Sequence, residues 1–123
     1  MKWDVEFHED FAPEFDALPE DVQDEIRALA GALEDIGPLL GRPGADTLNG
    51  SRHANLKELR FDASGGVWRI AFAFDPRRKA VLLVVGDKSG VSKKWFYKQL
   101  IAKADQLFDA HLAALKLKKK GKK

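Results

Sequence analysis

Residues 67–74 read VWRIAFAF, a run in which large apolar side chains return at every second position. This period of two is typical of a β-strand, whose successive side chains point to opposite faces of a sheet. One face of the predicted strand carries Trp68, Ile70, Phe72 and Phe74, and the other carries Val67, Arg69, Ala71 and Ala73. The aromatic face is expected to lie against the core.

The segments on either side of this run predict two further strands. Residues 56–61 (LKELRF) precede a turn at 64–66 (SGG), and residues 80–85 (AVLLVV) follow a turn at 75–78 (DPRR). Turns of this kind connect antiparallel strands. The three strands therefore predict an antiparallel meander, in which the wholly apolar run 80–85 is buried on both faces.

The rest of the chain shows one more strand and three helices. Apolar and polar side chains alternate along residues 3–8, which predicts a half-buried strand. Asp10 then stands where it could cap a short helix. Apolar residues spaced three and four apart predict a second helix, which begins near Pro19 and ends at Gly37-Pro38. Residues 41–51 are typical of a loop, and a final helix is expected to begin at Ser92.

The predicted order is therefore β-α-α-β-β-β-α, an α+β fold. We expect a small twisted antiparallel sheet, two N-terminal helices packed on one face, and a C-terminal helix. The 123 residues favour a single domain, placed at residues 1–115. Residues 116–123 hold six lysines and nothing to bury, and are expected to form a disordered tail.

Charge is divided unevenly along the chain. Residues 1–40 hold two basic and twelve acidic side chains, whereas residues 41–123 hold nineteen basic and seven acidic ones. This asymmetry argues against an enzyme of small molecules and favours an anionic partner. The absence of cysteine excludes disulfides, thiolate zinc sites and a cysteine nucleophile. With no signal-peptide pattern and no long apolar run, the protein is expected in the cytoplasm and not in a membrane.

Two arginines are expected to face each other on the sheet. A hairpin that pairs Phe61 with Trp68 places Arg60 opposite Arg69, and like charges in such a pair destabilise a sheet. An anion between them is one explanation, with room left by the small Ala71 and Ala73. Pairing of the arginines with Glu58 and nearby acids, or simple solvation, is the other.

Lys88, just past the third strand, is within reach of the same surface. Arginine and lysine stabilise phosphate charge, and Glu58 is the nearby carboxylate able to move protons. This set suits RNA cleavage in which the ribose 2′-hydroxyl attacks its own phosphodiester. We predict Arg60, Arg69, Lys88 and Glu58 as the catalytic residues.

Additional RNA contacts are predicted around this surface. Arg52 and His53 precede the basic strand, although a surface-loop role is the alternative for His53. Lys57 and Lys93 complete the predicted RNA-binding residues. An aromatic run at residues 95–97 (WFY) offers a base-stacking surface, although at helical spacing at least two of the three are expected in the core.

Neither a metal nor a cofactor is expected. His8, His53 and His111 lack ligand spacing, and the sequence has no phosphate-loop or dinucleotide glycine motif and no nucleophile elbow.

Several motifs together resemble the RelE/ParE toxin superfamily, in its HigB-like, phage-derived branch. They are LKELR at 56–60, WRIAFAFDPRR at 68–78 and LLVVGDK at 82–88, with GRP at 41–43, LNGSRH at 48–53, and the segment from Ala104-Asp105 to His111-Leu112. The match spans nearly the whole chain. Each motif is short, but their order and spacing are specific.

The resemblance implies a toxin that cleaves messenger RNA on the ribosome without a metal, and a cognate helix-turn-helix antitoxin that binds it in a hetero-oligomer. By position, Arg69 matches the family's sheet arginine, Lys88 a basic residue after the last long strand, and Arg60 a further basic position. Glu58 stands where some relatives carry lysine. Tyr97 falls a few residues late for the tyrosine that some relatives use.

Two other functions stay open at this point. The superfamily also contains toxins that inhibit DNA gyrase without being nucleases, so the fold alone does not decide the activity. A nucleic-acid-binding accessory protein with no toxicity is the third interpretation.

Overall fold

The computed structural model describes residues 2–121, and side chains as far as residue 118. Its helices and strands form an α+β arrangement. In chain order they are β1 (Asp4–Phe7), α1 (Phe11–Asp16), α2 (Glu20–Ile36), a 3₁₀ turn (Gly37–Leu39), β2 (Ala45–Thr47), β3 (Leu56–Ala63), β4 (Gly66–Phe74), β5 (Lys79–Asp87) and α3 (Lys93–Gly121).

The five strands form one sheet in the order β1-β5-β4-β3-β2. Strands β3, β4 and β5 are the predicted antiparallel meander, and β1 joins its β5 edge in parallel. Strand β2 pairs with β3 inside the segment 41–51, which was predicted as a loop. Three residues are too few to show an alternating pattern, and pairing with β3 supplies the hydrogen bonds that define the strand.

The predicted register between β3 and β4 is confirmed. Phe61 pairs with Trp68, and Arg60 therefore pairs with Arg69. The connecting turn has Ser64 at φ 49° and Gly65 at φ 73°. Two consecutive positive φ angles are the mark of the tight hairpin turn whose twist matches that of the flanking strands.

Helices cover both faces of the sheet. Helices α1 and α2 pack on the face that carries Ile70 and Phe72, as predicted. Helix α3 packs on the opposite face, over Ala71 and Ala73, both of which are fully buried. The expectation that these two alanines leave room for an anion is therefore wrong, because small side chains here admit the helix instead.

The helix ends agree in part with the predicted caps. Asp10 precedes α1 without a side-chain capping bond, and its backbone N–H donates instead to His8 Nδ1 at 3.0 Å. At α3 the Ser92 hydroxyl accepts from the Trp95 N–H at 3.1 Å, as expected of a capping serine.

Helix α3 continues beyond the predicted end of the fold. It runs to Gly121, so residues 116–121 are helical rather than the expected disordered tail, and residues 122 and 123 lie outside the described part. Lysine has good helix propensity, and its charge is favourable near a helix C-terminus, so these turns need no packing partner. Within residues 2–121, no helix is long and apolar enough to cross a membrane.

Candidate active site

The paired arginines of β3 and β4 enclose a carboxylate from the same sheet face. Glu58 lies two residues before Arg60 on β3, so both side chains point toward the α3 side. Its Oε2 is 3.4 Å from Arg60 Nη1, and its Oε1 is 3.8 Å from Arg69 Nε. The anion expected between the arginines is thus the chain's own Glu58, which is the pairing that the sequence left as the alternative.

Burial differs sharply within this group. The side chains of Glu58 and Arg69 are 5% and 6% exposed, whereas that of Arg60 is 32% exposed. Arg69 also donates from Nη1 to the Trp68 carbonyl at 2.8 Å. Arg69 is therefore fixed within the sheet surface, and Arg60 forms the open side of the group.

Tyr97, in the first turns of α3, completes the group from above the sheet. Its hydroxyl donates to Glu58 Oε1 at 2.8 Å and accepts from Arg69 Nε at 3.2 Å. Burial and the hydrogen bond to Glu58 raise the pKa of this phenol, outweighing the opposite influence of Arg69. The sequence indicated no secure role for Tyr97, although its helical spacing with the buried Leu100 and Ala104 was a signal that it faces the sheet.

Lys88 stands beside Tyr97, with its Nζ 5.9 Å from the centre of the tyrosine ring. Burial lowers the pKa of Lys88, and the positive charges of Arg69, Lys93 and Arg60 lower it further, against the opposing charge of Glu58. The predicted residues Lys88 and Lys93 therefore share one electrostatic environment with the two arginines.

Strand β2 adds a second carboxylate at the open side. Asp46 Oδ2 lies 3.5 Å from Arg60 Nη1 and accepts from Arg42 Nη2 and Nε at 2.8 and 2.9 Å. The Arg42 hydrogen bonds hold the pKa of Asp46 below its ordinary value. Sequence reasoning missed Asp46 because β2, the strand that positions it, was too short to detect, and it missed Arg42 because that residue is held by Asp46.

The group carries more positive than negative charge. Five cations, Arg42, Arg60, Arg69, Lys88 and Lys93, surround two carboxylates, Glu58 and Asp46. Such an excess at the edge of a half-buried cluster creates a positive potential that attracts anions.

Three of the predicted RNA-binding residues lie away from this group. Asp109 on α3 binds both Arg52 and His53, the latter at 2.7 Å from Nε2. Asp109 is twelve residues beyond Tyr97, or about 18 Å along the helix axis. Lys57 lies on the other face of β3 from Glu58, because strand side chains alternate. The sequence grouped these residues by proximity along the chain, and the folding of β3 and α3 separates them.

The aromatic run at the start of α3 divides as expected. Phe96 is buried, Tyr97 is half-buried beside Glu58 and Arg69, and Trp95 is 56% exposed. Trp95 alone among them presents its ring to the surface.

A second polar cluster lies in the core at the far end of the sheet. Asp75, whose side chain is fully buried, accepts from His111 Nε2 at 2.9 Å and from the backbone N–H groups of Arg77 and Lys79. His8 lies close by, its ring centre 6.5 Å from that of His111. Among the residues with described side chains, no three His, Asp or Glu groups converge in a way that would hold a metal ion.

The chain matches one family model over most of its length. The model for the family described as phage-derived protein Gp49-like (DUF891) matches residues 13–109. HigB2 of Mycobacterium tuberculosis, a protein named as a toxin, is 44% identical over 97 residues, which are 78% of this chain and 48% of HigB2. This chain thus spans about half the length of that relative.

Two further similarities concern a second relative and the fold. HigB3 of the same organism, also named as a toxin, is 45% identical over 100 residues, which are 81% of this chain and 85% of HigB3. A mutant of the Escherichia coli toxin RelE in its free state aligns with a TM-score of 0.60 over 84% of this chain and 97% of RelE, at 12% identity. The last comparison establishes a shared fold.

Proposed function

Because this chain belongs to the Gp49-like family of phage-derived proteins and is homologous to HigB2 and HigB3, which are named as toxins, we propose that it is the toxin of a toxin–antitoxin pair and acts as a metal-independent endoribonuclease. Its substrate is messenger RNA engaged with the ribosome. Its partners are that RNA and a cognate helix-turn-helix antitoxin, with which it forms a hetero-oligomer in the cytoplasm.

The observation that carries the proposal is the convergence of Arg60, Arg69 and Lys88. Cleavage by a neighbouring 2′-hydroxyl passes through a crowded phosphorane that carries extra negative charge. Fixed cations that surround this charge stabilise it more than they stabilise the starting phosphodiester, which is the requirement for catalysis. Arg69, held by Trp68 and Tyr97, is positioned before substrate arrives.

The step itself needs two proton transfers. The 2′-oxygen forms a bond to phosphorus as its proton leaves, and the bond to the 5′-oxygen breaks as that oxygen gains a proton, giving a 2′,3′-cyclic phosphate and a 5′-hydroxyl. We assign Glu58 to accept the first proton. Lys88 donates the second, because a lowered pKa makes an ammonium group a better acid near neutral pH.

Induced expression provides the test. The wild-type chain should arrest growth, and primer extension on cellular transcripts should map new 5′ ends. Arg69→Ala should abolish both effects, and Lys88→Ala should do so without disturbing the buried ion pair. Circular dichroism of the purified variants checks that they are folded. Cleavage by both folded variants would refute the site.

The same experiment separates the other candidate functions. Growth arrest with intact transcripts and altered plasmid supercoiling would identify a gyrase inhibitor instead. Salt-sensitive nucleic-acid binding without growth arrest would identify an accessory protein.

A further inference from the structure

The carboxylate of Glu58 lies between the two sheet arginines, the groups to which the proposed function assigns the substrate phosphate. Both of its oxygens are engaged, Oε2 by Arg60 at 3.4 Å and Oε1 by Tyr97 at 2.8 Å, with Arg69 Nε 3.8 Å from Oε1. Phosphate and carboxylate oxygens accept from the same guanidinium N–H groups. An RNA phosphate and Glu58 therefore compete for the same donors.

The free protein needs an anion at this position. Arg60 and Arg69 are directly opposed in the sheet, and Arg69 is almost completely buried. Without a counter-ion, two like charges would face each other in a region of reduced dielectric, where their repulsion is strong. Glu58 relieves that repulsion, bonded directly to Arg60 and linked to Arg69 through the Tyr97 hydroxyl.

We propose that Glu58 is an internal counter-ion that an RNA phosphate displaces when it binds, so that this residue sets how readily the site accepts an anion. The inference rests on the proposed function, since it concerns the same phosphate site. It adds a step to that function: the displaced carboxylate leaves the arginines and becomes free to accept the 2′-hydroxyl proton.

The exchange also favours a polynucleotide over a lone phosphate. A single small anion gains only the contacts that Glu58 gives up, so it has little advantage over the resident carboxylate. An RNA strand brings its leaving 5′-oxygen to Lys88 and a neighbouring phosphate to Lys93, and neither lysine has such an internal competitor at hydrogen-bond distance among the described contacts. Those additional contacts make the binding free energy of an RNA strand more favourable than that of a single small anion.

Glu58→Gln in the full chain tests the proposal. The amide keeps the size of the side chain and an oxygen for the Tyr97 hydroxyl, but removes the charge. Binding is measured with an RNA strand carrying 2′-O-methyl groups, which cannot be cleaved. We expect the variant to bind this RNA roughly tenfold more tightly than the wild type, because the negative charge that competes for Arg60 and Arg69 is gone. Turnover of cleavable RNA should fall in the same variant.

Glu25→Gln is the matched control, since it makes the same change in net charge on the exposed side of α2. It should leave both RNA affinity and turnover close to the wild-type values. Equal affinity of Glu58→Gln and wild type for the uncleavable RNA would overturn the proposal. So would an equal gain in the control, because a general charge effect would then be the cause.

A second measurement uses inorganic sulfate and does not depend on RNA. Sulfate should raise the melting temperature of Glu58→Gln clearly more than that of the wild type or of Glu25→Gln. Equal shifts in all three proteins would also overturn the proposal. Suppose that sulfate stabilises Glu58→Gln more than the wild type, but that the wild type leaves transcripts intact in cells. That result would refute the proposed nuclease activity and leave the counter-ion role of Glu58 supported. If Glu58→Gln fails to fold, Glu58→Asp, with a shorter reach to both arginines, should show the same effects in smaller size.

Discussion

The Tyr97 hydroxyl donates a 2.8 Å hydrogen bond to Glu58 Oε1, joining the first turns of α3 to β3, the first strand of the meander. The contact spans 39 positions of the chain. It links the orientation of α3 to the position of the carboxylate that lies between the sheet arginines. A shift of α3 would therefore move Glu58, and a shift of Glu58 would move Tyr97.

This contact makes a prediction about alkaline pH. Burial and Glu58 raise the pKa of Tyr97 above its ordinary value of 10.0, so the folded protein keeps a proton that the unfolded chain has lost. The stability linked to this proton is present in full below pH 10.0 and is lost as pH rises through the folded-state pKa. Tyr97→Phe should unfold with a weaker dependence on alkaline pH than the wild type.

Tyr97 is the single tyrosine of the chain, so tyrosinate absorbance reports it alone. The titration of the folded protein should lie above that of the urea-unfolded protein, and Glu58→Gln should move it down toward the unfolded curve. Coincident folded and unfolded curves would contradict the buried hydrogen bond.

Arg69→Lys is expected to behave as a severe change. Lysine keeps the charge but lacks the planar set of donors with which Arg69 contacts Tyr97 and the Trp68 carbonyl. Loss of one such preorganised donor lowers turnover by about a hundredfold or more. Single-turnover cleavage of a short RNA by the purified variant measures the effect. Arg27→Lys, on the exposed side of α2, is the control and should retain wild-type rates.

Lys88 is expected to determine the alkaline side of the pH–rate profile. Its ammonium group must be protonated to donate to the leaving oxygen, so the rate falls as pH rises through its pKa, which lies below the ordinary 10.5. Lys88→Met should lower the rate by about a hundredfold and remove this decline. Lys88→Arg should move the decline to higher pH. A wild-type profile with no decline up to pH 10.5 would argue against the assignment.

The buried Asp75–His111 pair is predicted to be a stability element. Burial raises the pKa of Asp75, but hydrogen bonds from His111 and from Lys79 and Arg77 outweigh it, and the net shift is downward from 3.8. A lowered carboxyl pKa adds stability that is present above 3.8 and lost as pH falls through the folded-state value. Asp75→Asn should destabilise the protein by about 3 kcal/mol near neutral pH.

Urea unfolding at several pH values measures this difference, which should shrink as the solution becomes acidic. Asp62→Asn, at an exposed position of β3, should differ little from the wild type at any pH. A constant difference across the pH range would show that Asp75 acts by packing rather than by charge.

Much of the sheet could be predicted because its information is local. Alternation along VWRIAFAF and the turn at residues 64–66 determine which side chains share a face, and they were sufficient to place Arg60 opposite Arg69. The position of α3 could not be obtained in this way. Ala71 and Ala73 are compatible with an open surface or with a helix packed closely on them, and only the three-dimensional packing decides.

Two residues of the candidate site, Tyr97 and Asp46, were not predicted for the same reason. Tyr97 reaches Glu58 because α3 crosses the sheet at one particular place, and Asp46 reaches Arg60 because β2 pairs with β3. Both contacts join segments that are distant in sequence. Composition and periodicity describe each segment separately, and they do not show which segments lie next to each other in the folded protein.

The length of the hairpin turn at Ser64 and Gly65 determines which residues of β3 and β4 are paired. Adding or removing one residue there would shift β3 against β4 by one position, and every side chain of one strand would then face the wrong side relative to its neighbour. Arg60 and Arg69 would both survive in the sequence, yet they would no longer meet. The number of residues in this turn, and not only the identity of the two arginines, therefore determines whether the two side chains are paired.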